Sequence, residues 1–355
     1  MQPRSTFLPT LNLVFLLPTF LLTFLPMFLL ILLLAGAAQA KTLKIATVVP
    51  DGSTWLVEMR KAGAEIEART EGRVKLKFYP GGVMGNEKTV LRKMRAGQLQ
   101  GGAFTSGALA QIYPDAELYS LPLLFRSYGE VDHVRKHMDQ SIRDGLAKKG
   151  FEALAISDSG FAYVMSQRPV REVGDLKGAK VWIVEGDLMS EVAFDIAGVS
   201  PIPLPIADVY TALQTHLIDT VAAPPMATIA FQWHTKVTYL TEVPLMYLVG
   251  IVAVDRKVFD KLSPGDQKIL RETIAASATR LDADSRIGEE NAKQALQNQG
   301  IEFVTASSAA EVQRWHDISA QALVKLREMG RYSETMISEL LRLIEEYRVA
   351  HPEPR

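Results

Sequence analysis

Two histidines are the first residues to weigh for chemistry. His133 and His137 stand four apart in "HVRKH", a spacing that puts two imidazoles on one helix face as a pair of metal ligands requires. No third ligand follows at a usable distance and the neighbours are charged, so a solvated helix face is expected. The other histidines, His216, His234, His316 and His351, are scattered. The glycines of "GGVMG" (81–85) would cradle a phosphate if Lys and Ser or Thr came next, but Asn86 and Glu87 follow, which predicts a strand-to-helix turn. Glu185 and Asp187 fall at an expected helix start, where carboxylates complement the helix dipole, and are not read as an acid/base pair. The chain has no cysteine, which removes thiolate nucleophiles and Cys-type zinc sites, and it has no nucleophile elbow or kinase signature. These readings point away from an enzyme and call for neither metal nor cofactor.

The elements that would carry these residues alternate. Leu43–Val49 reads as a strand, and Ser53 as the N-cap of a helix with Trp55, Met59, Ala62 and Ile66 on one face. Val74–Tyr79 is a second strand, and Asn86 caps a helix stopped by Gly97. A third strand ends near Thr105 and Ser106. Two polar helices are predicted from Glu130 to Lys149, then strands at Glu152–Ser157 and Phe161–Ser166. A second series follows: strand Lys180–Val184, helix Asp187–Ala197, strand Val199–Pro203, a helix from Ile206, and strand Ile218–Ala222. From Pro264 the pattern becomes long amphipathic helices, Gln267 to about Gln299, Ala309–Met329 and Ser333–Tyr347. The expected fold class is α/β, with two lobes, a cleft between them and long C-terminal helices.

The first forty residues read as an export leader. Arg4 is their only charge, Leu11 to Leu34 is almost wholly apolar, and Ala38-Gln39-Ala40 is a small-x-small cleavage pattern. Pro18 and Pro26 interrupt the run and no basic cluster follows it, which favours cleavage over a retained anchor. Without cysteine there is no lipid attachment. The remaining 315 of 355 residues carry 38 basic and 40 acidic side chains, a net charge of −2 with no like-charge block, so nucleic acid is not an expected partner. The expected location is the periplasm.

Five stretches, "YPGGVMGNEKTVLRKMRAGQLQ", "YPDAELYSLPLLFRSY", "DLKGAKV", "AGVSPIPLPIADVYTALQTHLIDT" and "DRKVFDKLSPGDQKILRE", together resemble the substrate-binding subunits of TRAP transporters, the DctP type. The resemblance runs in order from about Leu43 to Val304. It implies two α/β lobes around a buried small-molecule ligand, and delivery of that ligand to a sodium-driven membrane permease. The lobes are expected at 41–158 with about 249–288, and at 159–248 with about 289–350. The resemblance also implies a carboxylate-binding arginine in the strand after "DLKG", where this chain reads Lys180-Val181-Trp182-Ile183. Trp182 stands in the arginine's place. Polar positions of typical members likewise fall on Ala223, Ala162 and Val243-Pro244-Leu245.

Trp182 either fills a strand's core or lines the cavity between the lobes, and the concerted polar losses favour the second. An ionised carboxylate enclosed without a cation costs several kcal/mol. Apolar burial of about 300 Å² contributes roughly 7 to 8 kcal/mol. The expected ligand is therefore of medium size, non-acidic and largely apolar; the alternative is an organic acid held by another cation, such as Arg126 or Arg168, or by a bound metal. The expected ligand-binding residues are Trp182, Phe161, Ala162, Ile206, Tyr210, Ala223, Pro224, Leu245 and Tyr247, with hydroxyl contacts from Thr105 and Ser106. Trp55 and Trp233 are read as core. Family members lacking the arginine resemble a subset that pairs with a tetratricopeptide-repeat lipoprotein, which makes such a protein an expected partner.

Overall fold

Local capping chemistry starts the helices where the sequence places them. In the computed structural model, which describes residues 40–352, Ser53 accepts the Leu56 amide at 3.3 Å and Asn86 accepts that of Thr89 at 3.0 Å. The expected leader up to Gln39 lies outside the described residues. The first elements are β1 (Lys41–Ala46), α1 (Thr54–Arg69), β2 (Val74–Tyr79), α2 (Glu87–Arg95), β3 (Gly101–Thr105), α3 (Ser106–Ala110) and α4 (Tyr128–Lys148). Next come β4 (Phe151–Ser166), β5 (Trp182–Val184), α5 (Leu188–Ile196), β6 (Ile202–Leu204), α6 (Val209–Gln214), β7 (Thr220–Ala223) and α7 (Pro225–Ala230). The chain continues with β8 (Tyr239–Asp255), α8 (Arg256–Phe259), α9 (Pro264–Asn298), β9 (Glu302–Val304), α10 (Ala309–Glu328) and α11 (Glu334–Ala350).

Three of the longest elements differ from expectation. The region of two predicted helices is one helix, α4, because Val131, Val134, Met138, Ile142 and Leu146 repeat at helical spacing along its whole length. Gly145 does not break it: a β-carbon there would stand 2.1 Å from the Tyr113 ring, so the glycine admits that ring. The two predicted strands around Asp158-Ser159-Gly160 are one strand, β4, whose register slips between Asp158 and Gly160. Gly160 takes φ +95° there, so a sequence that reads as a turn is a β-bulge. Strand β8 has no counterpart in the expected elements. Pro244 masks it, yet the proline sits beside a second register shift, between Ala162 and Tyr163, where a missing amide is tolerated.

Strands β4 and β8 run antiparallel along most of their length and form the centre of the sheet, whose order is β2-β1-β3-β8-β4-β7 with β9 on β8. A separate parallel pair, β5 and β6, aligns Trp182 with Ile202. Apolar side chains form two clusters. One joins α4, β4, β8 and the C-terminal helices; the other packs α1 and the first half of α9 against β1, β4 and β8.

A buried ion cluster sits where β4 meets β8. Asp158 accepts from Arg135 and from the Tyr247 hydroxyl, and Arg286 of α9 donates to its other oxygen at 2.7 Å. Arg135 also donates to the Ile156 carbonyl at 2.6 Å, and the Asp158 amide donates to Asp282 at 2.7 Å. The Asp158 side chain has no exposed surface, so removing it strips the buried partner from both guanidiniums, leaving Arg135 with Asp139 and Asp282 and Arg286 with the exposed Asp132. Asp158→Ala is expected to lower stability by about 3 to 5 kcal/mol in urea denaturation, whereas a loss below about 1 kcal/mol would mean the cluster does not hold the strands.

Candidate functional site

The ends of these elements enclose a cavity of about 660 Å³. Along β8, Met246 and Leu248 face it, while Leu245 and Tyr247, out of phase in the pleat, do not. Two consecutive prolines, Pro224 and Pro225, start α7, which turns Met226, Ala227, Ile229 and Ala230 toward the cavity. Gly288 of α9 also lines it; a β-carbon there would meet the Met226 sulfur at 3.0 Å, so the glycine lets α7 approach α9.

Aromatic rings form much of the wall. Trp182 is buried, its indole nitrogen donates to the Leu204 carbonyl at 3.0 Å, and its ring meets Trp233 edge-on with centroids 5.2 Å apart. With its polar atom taken by the backbone, it offers a ligand only apolar surface. Phe231 stacks on Trp233 at 5.2 Å, and Phe194 and Trp55 also line the space.

The polar part of the wall combines serine and threonine hydroxyls and Asn291 with acidic side chains. Among the described residues no lysine, arginine or histidine lines the cavity, whereas Glu87, Glu117, Asp158, Asp187 and Asp284 do. Glu87 accepts the amide and hydroxyl of Thr105 at 2.6 and 3.1 Å, and burial pushes its carboxyl up to about 7. Asp187 caps α5 by accepting the amide and hydroxyl of Ser190 at 3.0 and 2.6 Å, and burial raises it too. Glu117 takes the Tyr332 hydroxyl on Oε1 at 2.6 Å and has no partner on the buried Oε2. Burial first, then the Asp187 charge, pushes Glu117 up to about 8. No group of three His, Cys, Asp or Glu side chains among the described residues is arranged to hold a metal ion.

Of the residues expected from the sequence, Trp182, Ile206, Ala223, Pro224, Thr105 and Ser106 line this cavity. The other five lie off its wall. Phe161 and Tyr247 pack against each other and against Tyr128, with Tyr247 committed to Asp158 and Arg135. Ala162 and Leu245 are buried in the core. Tyr210 lies under Lys236, whose ammonium is 5.2 Å from the ring centroid. The Thr105 hydroxyl is occupied by Glu87 and the Ala108 amide, and Ser106 pairs with Ser120 at 3.2 Å. Trp233 is buried in the core as expected and also lines the cavity, and Trp55, half-buried against the second cluster, lines it too, because α1 and the turn Trp233–Lys236 abut the space. Neither Arg126 nor Arg168 lines it; Arg168 is 66% exposed and 4.0 Å from Asp219. Sequence reasoning missed α7 and Glu117. The signals were present: "AAPPMATIAFQW" is apolar on all sides, and "PDAELYS" sets an acid among core residues.

The sheet order and the enclosed space define a periplasmic-type binding protein with two lobes. The solved structure of the sugar acid binding protein DctPAm from Advenella mimigardefordensis, in complex with galactonate, superposes with a TM-score of 0.81 at 19% identity, covering 87% of this chain and 99% of that one. A TRAP periplasmic solute binding protein from Pseudomonas putida F1, with bound D-glucuronate, gives 0.77 at 22% identity, with 88% and 98% covered. In sequence the chain is 28% identical over 240 residues to the 2,3-diketo-L-gulonate-binding periplasmic protein YiaO of Escherichia coli (strain K12), covering 66% of this chain and 72% of that protein. Residues 45–328 match the DctP family, the bacterial extracellular solute-binding proteins of family 7, and the chain belongs to that family. It is a TRAP solute-binding protein and not an enzyme; proteins of this kind bind small ligands and work with membrane permease subunits. Members of the family are periplasmic, and no helix among the described residues is long and apolar enough to cross a membrane.

The buried acids set a pH dependence. Glu87 and Glu117 titrate at about 7 and about 8 in the folded chain against about 4.3 unfolded. Across that interval the folded state holds more protons, so stability falls as pH rises from about 4.5 to about 8. The exposed acids held low by arginines, Asp51 and Glu339, act below this window. The urea midpoint of ligand-free protein is expected to drop between about pH 5.5 and 8.5, and Glu117→Gln, neutral throughout, to flatten the drop. A midpoint that rises over this range would contradict the assignment.

Proposed function

We propose that this TRAP solute-binding protein captures a medium-sized, non-acidic, largely apolar ligand and delivers it to a membrane permease. The observation that carries the reading is the cavity wall itself, on which aromatic and aliphatic side chains, hydroxyls, Asn291 and five carboxyl groups stand and, among the described residues, no cation. An enclosed organic acid would face a desolvation cost without a counter-ion, and repulsion as well once Glu87 and Glu117 ionise above about pH 7 to 8. Trp182 occupies the strand position where the resemblance puts the acid-binding arginine, and its placement on the wall supports the exchange of an anion clamp for an apolar surface. The expected site is Trp182, Ile206, Ala223 and Pro224, together with Phe231 and Trp233.

The proposal includes the two lobes at 41–158 with about 249–288 and at 159–248 with about 289–350, a leader at 1–40 cleaved on export to the periplasm, and a tetratricopeptide-repeat lipoprotein as a second partner beside the permease. A second reading, an organic-acid binder with a non-standard cationic contact, is favoured by the acids named for relatives: 2,3-diketo-L-gulonate, galactonate and D-glucuronate. It has to supply a cation that Arg126 and Arg168 do not bring to the wall.

Calorimetric titration of ligand-free protein separates the two. An apolar aromatic probe is expected to bind, and Trp182→Ala to weaken it by about 2 kcal/mol, while succinate and galactonate give no heat. Tight binding of either acid, lost on mutation of one arginine, would establish the second reading instead. Mass spectrometry of molecules released from gently purified protein is expected to detect a non-acidic compound. Affinity purification from the native envelope is expected to recover the lipoprotein, and recovery of permease subunits alone would remove it from the proposal.

A further inference from the structure

The polar end of the cavity is more specific than its apolar body. Glu117 is 1% exposed and its Oε2 is buried without a hydrogen-bond partner, although buried carboxyl oxygens are nearly always satisfied. The unsatisfied atom lies beside Gly107: a β-carbon at that glycine would stand 3.6 Å from Glu117 Oε2 and 3.7 Å from the Asp187 β-carbon. Both carboxyl residues and Gly107 belong to the cavity wall, and the absent side chain at Gly107 leaves the space beside the two carboxyls unfilled by protein. Glu87 and Asp187 have each oxygen engaged, by Thr105 and Ser190, which leaves Glu117 Oε2 as the open acceptor. The charges facing Glu117 are Asp187 and Arg331, and Tyr332 donates to it; Arg331 itself donates to the Ala110 carbonyl at 3.1 Å and does not line the cavity. Asp115, on the same turn, accepts the Ser333 amide at 2.8 Å. The rings of Trp182, Phe194 and Phe231 border the same space, and their negative faces favour a cation.

We propose that Glu117, with Asp187 across Gly107, receives the polar end of the ligand and that this end is a protonated amine. The assignment rests on the non-acidic reading of the cavity and narrows it to apolar amines. An ammonium donates to Oε2, compensates the acidic wall, and replaces the proton that burial and Asp187 otherwise keep on Glu117 up to about pH 8. Binding then releases one proton from Glu117 at lower pH. A ligand with a carbonyl or ether end would instead accept from protonated Glu117 and bind less well as pH rises.

The sign of the pH dependence tests this with the full mature chain and three matched probes: phenylbutylamine, phenylbutanol and phenylbutanoate. The amine is expected to bind about tenfold or more tighter than the alcohol at about pH 8.5, the scale of a charge-assisted hydrogen bond. Its affinity is expected to climb by up to about tenfold per unit between about pH 6 and 8, with proton release seen as a buffer-dependent heat. In Glu117→Gln the amine-to-alcohol ratio is expected to fall toward one and the slope to vanish. Asp187→Asn, which keeps a capping side chain, is expected to lower the ratio as well; the wild-type slope reads the same point without any variant. Equal binding of amine and alcohol, or affinity that falls with rising pH, overturns the amine assignment and leaves the apolar reading standing. Binding of the phenylbutanoate alone overturns both.

Discussion

Asp158 holds two guanidiniums, those of Arg135 and Arg286, at the point where the two longest strands cross the molecule. Strands, helix and cavity all refer to that contact. It ties β4 to α4 and α9, since Arg135 comes from one helix and Arg286 from the other. It also accounts for the electrostatics of the cavity floor. Asp158 lines the cavity, yet its charge is consumed by two cations that do not. A ligand therefore meets a neutralised carboxylate there and no free guanidinium.

The character of the binding space follows from where charge is compensated and where it is not. Around Asp158 it is compensated by protein. Around Gly107 it is not: Glu117 and Asp187 face each other, burial raises their proton affinity, and one Glu117 oxygen has no partner. Structurally related proteins crystallised with galactonate or D-glucuronate share the scaffold at 19 to 22% identity, a level at which fold is preserved while wall chemistry is free to change. An indole in the place implied for an arginine exchanges a fork of donors for a ring whose donor is spent on the Leu204 carbonyl.

The pattern of agreement between sequence and structure has a physical origin. Caps and short-range periodicity were legible: Ser53, Asn86 and Asp187 cap helices within a residue or so of expectation, and Val74–Tyr79 is a strand as read. Each depends on contacts within about one helical turn or one pleat. The elements misread, β4, α4 and β8, contain Gly160, Gly145 and Pro244, residues that locally signal a break. A bulge, a close-packed tyrosine ring and an irregular strand pairing overrule those signals, and each needs a partner distant in the chain.

From its own residues the chain determined its α/β class, its lack of thiol chemistry, its long terminal helices and the identity of the residue at position 182. The family resemblance drew attention to that position. Tertiary structure alone decided which side chains share the cavity. It brought Trp233, Phe231 and Glu117 to the wall beside Trp182 and carried Phe161, Ala162, Tyr210, Leu245 and Tyr247 away from it. In a pleat a shift of one residue reverses the face a side chain presents, and here the shift is set by bulges in pairings between remote strands.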